Sequence, residues 1–224
     1  MEIFGLSVVV LVKIIVIDIV MSGDNAVVIA MAARNLPKEL QNKAIFWGTF
    51  GAIVLRLLFA AIVVALLDIP YLTLIGGLML LWISIKLLLP ENEQHQEGGK
   101  TVWSAVKTII LADAVMSLDN VLALAGASDG HFGAIVLGVI VSIPIIVFGS
   151  RLILNAMNKY PIIVYIGAGI LAWTAGEMIV SEEKLAAIIP ANAHLIIQVI
   201  LTILTLGIGY FLAKRSIPNT PNEG

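Results

Sequence analysis

Four aspartates, Asp18, Asp24, Asp113 and Asp119, stand inside long apolar runs of this chain. They belong to two copies of one motif, Asp18-Ile-Val-Met-Ser-Gly-Asp-Asn25 and Asp113-Ala-Val-Met-Ser-Leu-Asp-Asn120. Six of the eight positions are identical, and the copies lie 95 residues apart. An aspartate at the centre of a membrane helix costs roughly 2.5 to 3.5 kcal/mol on insertion scales, so it needs a partner and is functional by default. Carboxylates, an asparagine amide oxygen and backbone carbonyls together make a hard oxygen cage suited to Mg²⁺, Ca²⁺ or Mn²⁺. The candidate ligands are Asp18, Asp24, Asn25, Asp113, Asp119 and Asn120, with Ser22, Ser117, Met21 and Met116 as second choices. A methionine thioether beside the aspartates would favour a softer divalent ion such as Mn²⁺. Ordinary packing is the competing reading for both methionines, and hydrogen bonding between helices is the competing reading for the asparagines.

Six residues at the α-helical repeat leave Asp18 and Asp24 about 120° apart, so on a regular helix they do not converge. Ser22-Gly23 offers a break between them, whereas Ser117-Leu118 lacks the glycine and predicts a straighter second copy. Charge partners are available in Lys13, Arg56 and Arg151, which would staple the aspartates in a purely structural reading. Arg56 reads best as a counter-charge for the empty carboxylates, and Arg151 as the same or as an interfacial snorkel. Glu177 lies near a span end, as an outer carboxylate or an interfacial one, and His95, His131 and His194 are expected at the surface.

The elements that must position these residues follow from composition. The 224 residues are 60% hydrophobic and 12% charged, and the mean hydropathy is +1.05. Such a chain is expected to be an all-α integral membrane protein. A net charge of −2 without a basic stripe argues against a nucleic-acid partner. No cysteine is present, which excludes thiolate metal sites and disulfides. Spans of about 20 apolar residues are expected at 4–33, 42–67, 70–89, 102–127, 132–157, 160–180 and 192–213. The N-terminus lacks the basic region of a secretory signal, so the first run is expected to be a retained span.

The repeat extends beyond the motif. The same spacing of 95 pairs Arg56 with Arg151, after which a spacing of 91 pairs Pro70 with Pro161, Gly76 with Gly167, Trp82 with Trp173 and Lys86 with Glu177. The expected organisation is a single transmembrane domain over 1–215, with repeat one at 1–90, a linker at 91–100, repeat two at 101–181 and a seventh helix at 192–213. Residues 216–224 are expected to form a disordered cytoplasmic tail. Three spans per repeat is an odd number, so the second copy would sit upside down relative to the first, as in many secondary transporters. Basic residues agree: Arg34, Lys38, Lys43, Lys100, Lys107, Lys159, Lys214 and Arg215 fall on one side, against Lys184 alone on the other. The positive-inside rule then puts the N-terminus outside and the C-terminus in the cytoplasm.

The paired Asp-x-x-x-Ser-x-Asp-Asn segments and the 3+3+1 arrangement resemble the TerC family of bacterial membrane proteins, named for tellurium resistance, over nearly the whole chain. The short form without appended soluble domains looks most like its YjbE branch. The resemblance implies membership of the LysE exporter superfamily, a bacterial plasma-membrane location and, for several members, manganese efflux. It also implies the acidic residues of the two motifs as the metal site, here Asp18, Asp24, Asp113 and Asp119. The expected function is export of a divalent cation, most readily Mn²⁺, by alternating access, with protons as counter-ion and no permanently bound cofactor. The expected partners are the metal ion and the lipid bilayer, with a homo-oligomer and the secretion machinery as further candidates. The alternatives are an accessory protein supplying metal to secreted enzymes and an exporter of another small solute. Enzymatic activity is not expected; an intramembrane aspartyl protease would need only one aspartate dyad.

Overall fold

The computed structural model describes residues 2–3, 6–67, 69–89, 101–128 and 132–216. The expected linker at 91–100 lies outside the described residues, as do His131 and all of the expected tail except Ser216, which closes the last helix. The described residues are helical almost throughout. The helices are α1 (Val8–Met21), α2 (Gly23–Arg34), α3 (Lys38–Leu67), α4 (Leu72–Leu88), α5 (Val102–Ala127), α6 (Phe132–Lys159), α7 (Ile162–Ser181), the single turn α8 (Glu183–Ala186) and α9 (Ala191–Ser216). Ahead of them, Glu2–Ile3 pairs antiparallel with Leu6–Ser7.

Five helical stretches among the described residues are long and apolar enough to cross a membrane: Val12–Arg34, Lys38–Ile62, Phe132–Lys159, Ile162–Ser181 and Ala191–Arg215. α4 is apolar but only 17 residues long, or roughly 26 Å at the α-helical rise. α5 has 26 residues, roughly 39 Å on the same basis, and carries Lys107, Asp113 and Asp119. The molecule is therefore a multi-pass, all-helical integral membrane protein.

Only the first expected span is broken. α1 ends at Met21 and α2 begins at Gly23, with Ser22 at φ −92° and ψ −4° between them. The Ser22 N–H closes a tight turn onto the Ile19 carbonyl at 3.3 Å. The α5 helix runs unbroken past Ser117, so the two motif copies differ in backbone at the shared serine, which precedes Gly23 in one copy and Leu118 in the other.

Packing follows a reciprocal scheme. α3 lies along α5, while α1 and α2 lie along α6; α4 lies along α7, and α9 covers α7 and α4. Burial repeats with it. Ile14, Asp18, Ser22 and Asn25 are buried in the first copy, as are Ile109, Asp113, Ser117 and Asn120, each 95 residues later. In the second helix of each half the spacing falls to 90, pairing Ala44 with Ala134, Gly48 with Gly138 and Thr49 with Val139. The steric contacts carry the same register: a Cβ on Gly48 would lie 2.5 Å from Ile109, and one on Gly138 would lie 2.8 Å from Ile14. α3 begins six residues before Ala44 whereas α6 begins two before Ala134, and this extra turn of α3 supplies four of the five residues by which the spacing falls. The pairing of Arg56 with Arg151 is thereby corrected. Arg56 corresponds in packing to buried Ile146, and Arg151 lies exposed on α6. In the third helices the spacing of 91 holds, with Gly76 and Leu80 buried like Gly167 and Leu171.

Candidate functional site

The leading aspartates of the two motifs meet at one side chain. Arg56, 2% exposed on α3, places Nη2 at 2.8 Å from Asp113 Oδ1 and Nη1 at 3.4 Å from Asp18 Oδ1. Asp18 is fully buried on α1 and Asp113 is 6% exposed on α5. Arg56 also donates from Nε to Ser117 Oγ at 3.3 Å and from Nη1 to Ser22 Oγ at 3.5 Å. Ser117 in turn donates to Asp113 Oδ2 at 3.0 Å. Two carboxylates and one guanidinium carry a formal charge of −1. Nearly all of their polar atoms are paired, as burial demands. The exception is Asp18 Oδ2, which is buried without a hydrogen-bond partner.

The helix break builds the adjoining half of the site. Both motif asparagines point their amides at one backbone oxygen: Asn25 Nδ2 and Asn120 Nδ2 each donate to the Met21 carbonyl at 3.4 Å. That carbonyl lies at the end of α1, where the last carbonyls of a helix have no intrahelical donor. Asn25 Oδ1 is left buried and unpaired. Asp18 Oδ2 and Asn25 Oδ1 are thus oxygen acceptors with spare capacity beside the break, the donor chemistry that hard divalent cations take.

Not every expected ligand joins this cluster. Asp24 is only partly buried, and its Oδ1 accepts the Asn25 N–H at 2.8 Å in the first turn of α2, where a carboxylate also meets the positive helix end. The side chain of Asp119 lies outside the described residues. Among the described residues no three acidic or histidine side chains converge as a metal-binding group. Met116 packs into the apolar core with Ile109 and Val115, while Met21 contributes its carbonyl. Lys13, Arg151 and Glu177 are exposed and make no ion pair among the described residues, so Arg56 alone of the expected charge partners reaches the aspartates. α1 turns Lys13 away from the buried face that holds Ile14 and Asp18.

Two polar features escaped the sequence. Glu182, after α7, is buried and accepts the Tyr71 N–H at 3.0 Å and the Thr73 hydroxyl, so it caps the start of α4 from a neighbouring element. His194 is half-buried in the first turn of α9 with Nε2 unpaired, not solvated as expected. A separate cavity of about 180 Å³ between α4 and α5 is lined by Lys86, Lys107 and two hydroxyls without a carboxylate, which does not suit a cation.

A broken helix, a repeated burial pattern and a charged cluster buried between the repeats define a polytopic membrane protein with an internal polar centre. The chain belongs to the integral membrane protein TerC family, whose family model matches residues 5–217. It is 45% identical over 197 residues to the uncharacterized membrane protein YjbE of Bacillus subtilis, covering 88% of this chain and 89% of that one. The Bacillus subtilis membrane protein YkoY is 27% identical over 75% of this chain and 59% of its own. The inner membrane protein YgdQ of Escherichia coli is 29% identical over 65% of this chain and 69% of its own. No solved structure matches this chain.

Proposed function

We propose that this protein is a secondary transporter that exports a divalent cation, with Mn²⁺ as cargo, from the cytoplasm by alternating access. One observation carries the reading: Asp18 and Asp113, equivalent residues of the two motif copies, lie on one guanidinium beside a carbonyl that receives both motif asparagines. Duplicated residues meeting at a helix break is the construction of transporter ion sites. An oxygen donor set accepts Mn²⁺, and the resemblance to manganese-exporting TerC members selects it. Asp24 and Asp119 would complete the coordination sphere in other facings of the same site. A proton gradient is the driving force, because protons and metal compete for the same carboxylates.

The architecture in this reading is seven transmembrane helices in one domain over 1–215. α1–α2, α3 and α4 form one repeat, α5, α6 and α7 form its inverted copy, and α9 is the seventh helix. Exchanging the two sets turns the α3 packing on α5 into that of α6 on α1 and α2, and leaves α4 on α7 unchanged, which supports a two-fold relation. Basic residues occupy the last turns of α2, α4, α6 and α9 and are absent from the last turns of α3, α5 and α7. That alternation supports the N-terminus outside and the C-terminus in the cytoplasm of a bacterial cell. An aspartyl protease is disfavoured because a guanidinium, not a shared proton, joins the two carboxylates.

The test is Mn²⁺ flux from loaded vesicles holding wild type or single variants D18N, D24A, D113N and D119A. Loss of flux in D18N and D113N is expected; wild-type flux in both would remove the site assignment.

A further inference from the structure

Arg56 holds a position that the fold fills elsewhere with an aliphatic side chain. Its packing counterpart in the other half is Ile146, 5% exposed in the apolar core. A buried guanidinium is therefore not what the packing slot requires. It is also expensive: burying an ion costs several kcal/mol, and only good pairing repays that. Arg56 makes that pairing with one carboxylate oxygen from each repeat, 3.4 Å and 2.8 Å away. A cation bridging Asp18 and Asp113 would have to occupy the space between them that the guanidinium now fills. Cargo and Arg56 are thus alternative occupants of the same pair of carboxylates.

The geometry points to Arg56 as a tethered counter-cation. It spans the aspartate pair when the protein carries no metal, is displaced when the divalent ion binds, and returns when the ion leaves. The inference rests on the reading of this cluster as the cargo site. Its consequence concerns the unloaded protein. Without Arg56, Asp18 and Asp113 would be two buried, unneutralised carboxylates, a state that resists the rearrangement needed to face the other side. With Arg56 across them, the metal-free protein rearranges with one carboxylate neutralised from within and the other by the returning proton. Arg56 also taxes cargo affinity, because metal binds only to the fraction of molecules whose arginine has moved aside.

These roles separate in one set of measurements on the full chain, reconstituted into liposomes. Net Mn²⁺ movement into a metal-free compartment needs the metal-free protein to return, whereas Mn²⁺-for-Mn²⁺ exchange does not. R56I, which installs the residue of the other repeat, is expected to lower the ratio of net movement to exchange by about tenfold. It is also expected to tighten Mn²⁺ binding in detergent by about tenfold, since the competing cation is gone. R56K keeps a cation and should restore most of the ratio, which a purely packing role would not do. Should R56I yield no folded protein, R56Q carries the same expectation. An unchanged ratio, or weaker Mn²⁺ binding in the uncharged variant, overturns the tether. D18N separates the two levels: if it loses binding and flux while the Arg56 ratio is unchanged, only the tether fails. If D18N retains both, the cargo-site reading falls and the tether with it.

Discussion

Asp18 and Asp113 are equivalent in sequence, but their surroundings predict that they are unequal in stability. Asn at either position removes one negative charge and leaves the other carboxylate paired with Arg56, so relief of repulsion is common to both and cancels in the comparison. The contacts do not cancel. Asp113 accepts a charge-assisted bond from Arg56 at 2.8 Å and a second bond from Ser117 at 3.0 Å. Asp18 accepts one longer contact at 3.4 Å, and its other oxygen is unpaired. A hydrogen bond to a charged group contributes about 1.5 to 3 kcal/mol, and a weak neutral one about 0.5. D113N exchanges two bonds to a charged acceptor for bonds to a neutral amide, whereas D18N does so for a single longer contact. D113N should therefore cost about 1 to 2 kcal/mol more than D18N. Reversible unfolding in mixed micelles, followed by far-ultraviolet circular dichroism, measures both. Equal losses, or a larger loss for D18N, would refute the geometry of the cluster.

The glycine pair on α4 makes a second comparison. A Cβ on Gly77 would meet the Ala175 carbonyl at 2.8 Å and Ile179 at 2.7 Å, whereas one on Gly76 would lie 3.0 Å from the flexible end of Met178. G77A should destabilise by about 1 to 3 kcal/mol and G76A by clearly less, measured by loss of monodisperse protein on heating in detergent. E182A should cost about 1 to 3 kcal/mol, since the Tyr71 N–H and the Thr73 hydroxyl both lose their charged acceptor, and E182Q should recover most of it in the same assay. The chain has no cysteine, so single cysteines at Lys43 and Lys184 report topology directly. An impermeant maleimide applied to intact cells should label the second and spare the first; the opposite pattern would invert the assigned orientation.

Much of this protein is written locally. Twenty-residue apolar runs bounded by proline and charge specify membrane helices because lipid admits little else, and the observed helices start and stop within a few residues of the expected spans, apart from the first. The motif repeat is legible for the same reason: aspartates in apolar runs are costly, so a duplicated set of them stands out. The break at Ser22 was legible from the six-residue spacing of Asp18 and Asp24, although it is Ser22 that leaves the helix and not Gly23. Which residues meet was not written locally. Arg56 and Arg151 share a sequence spacing with the aspartates, yet the second helices pack at a spacing of 90, and that five-residue change of register puts one on the buried face and leaves the other exposed. Glu182 reads as part of a charged loop until α7 carries it to the start of α4. The membrane helices, the motif repeat and the costly charges are all legible residue by residue. That Asp18 and Asp113 share one arginine while Asp24 bonds to the backbone of its own helix instead follows from the tertiary packing, because helix register and close packing, summed over several helices, set which faces converge.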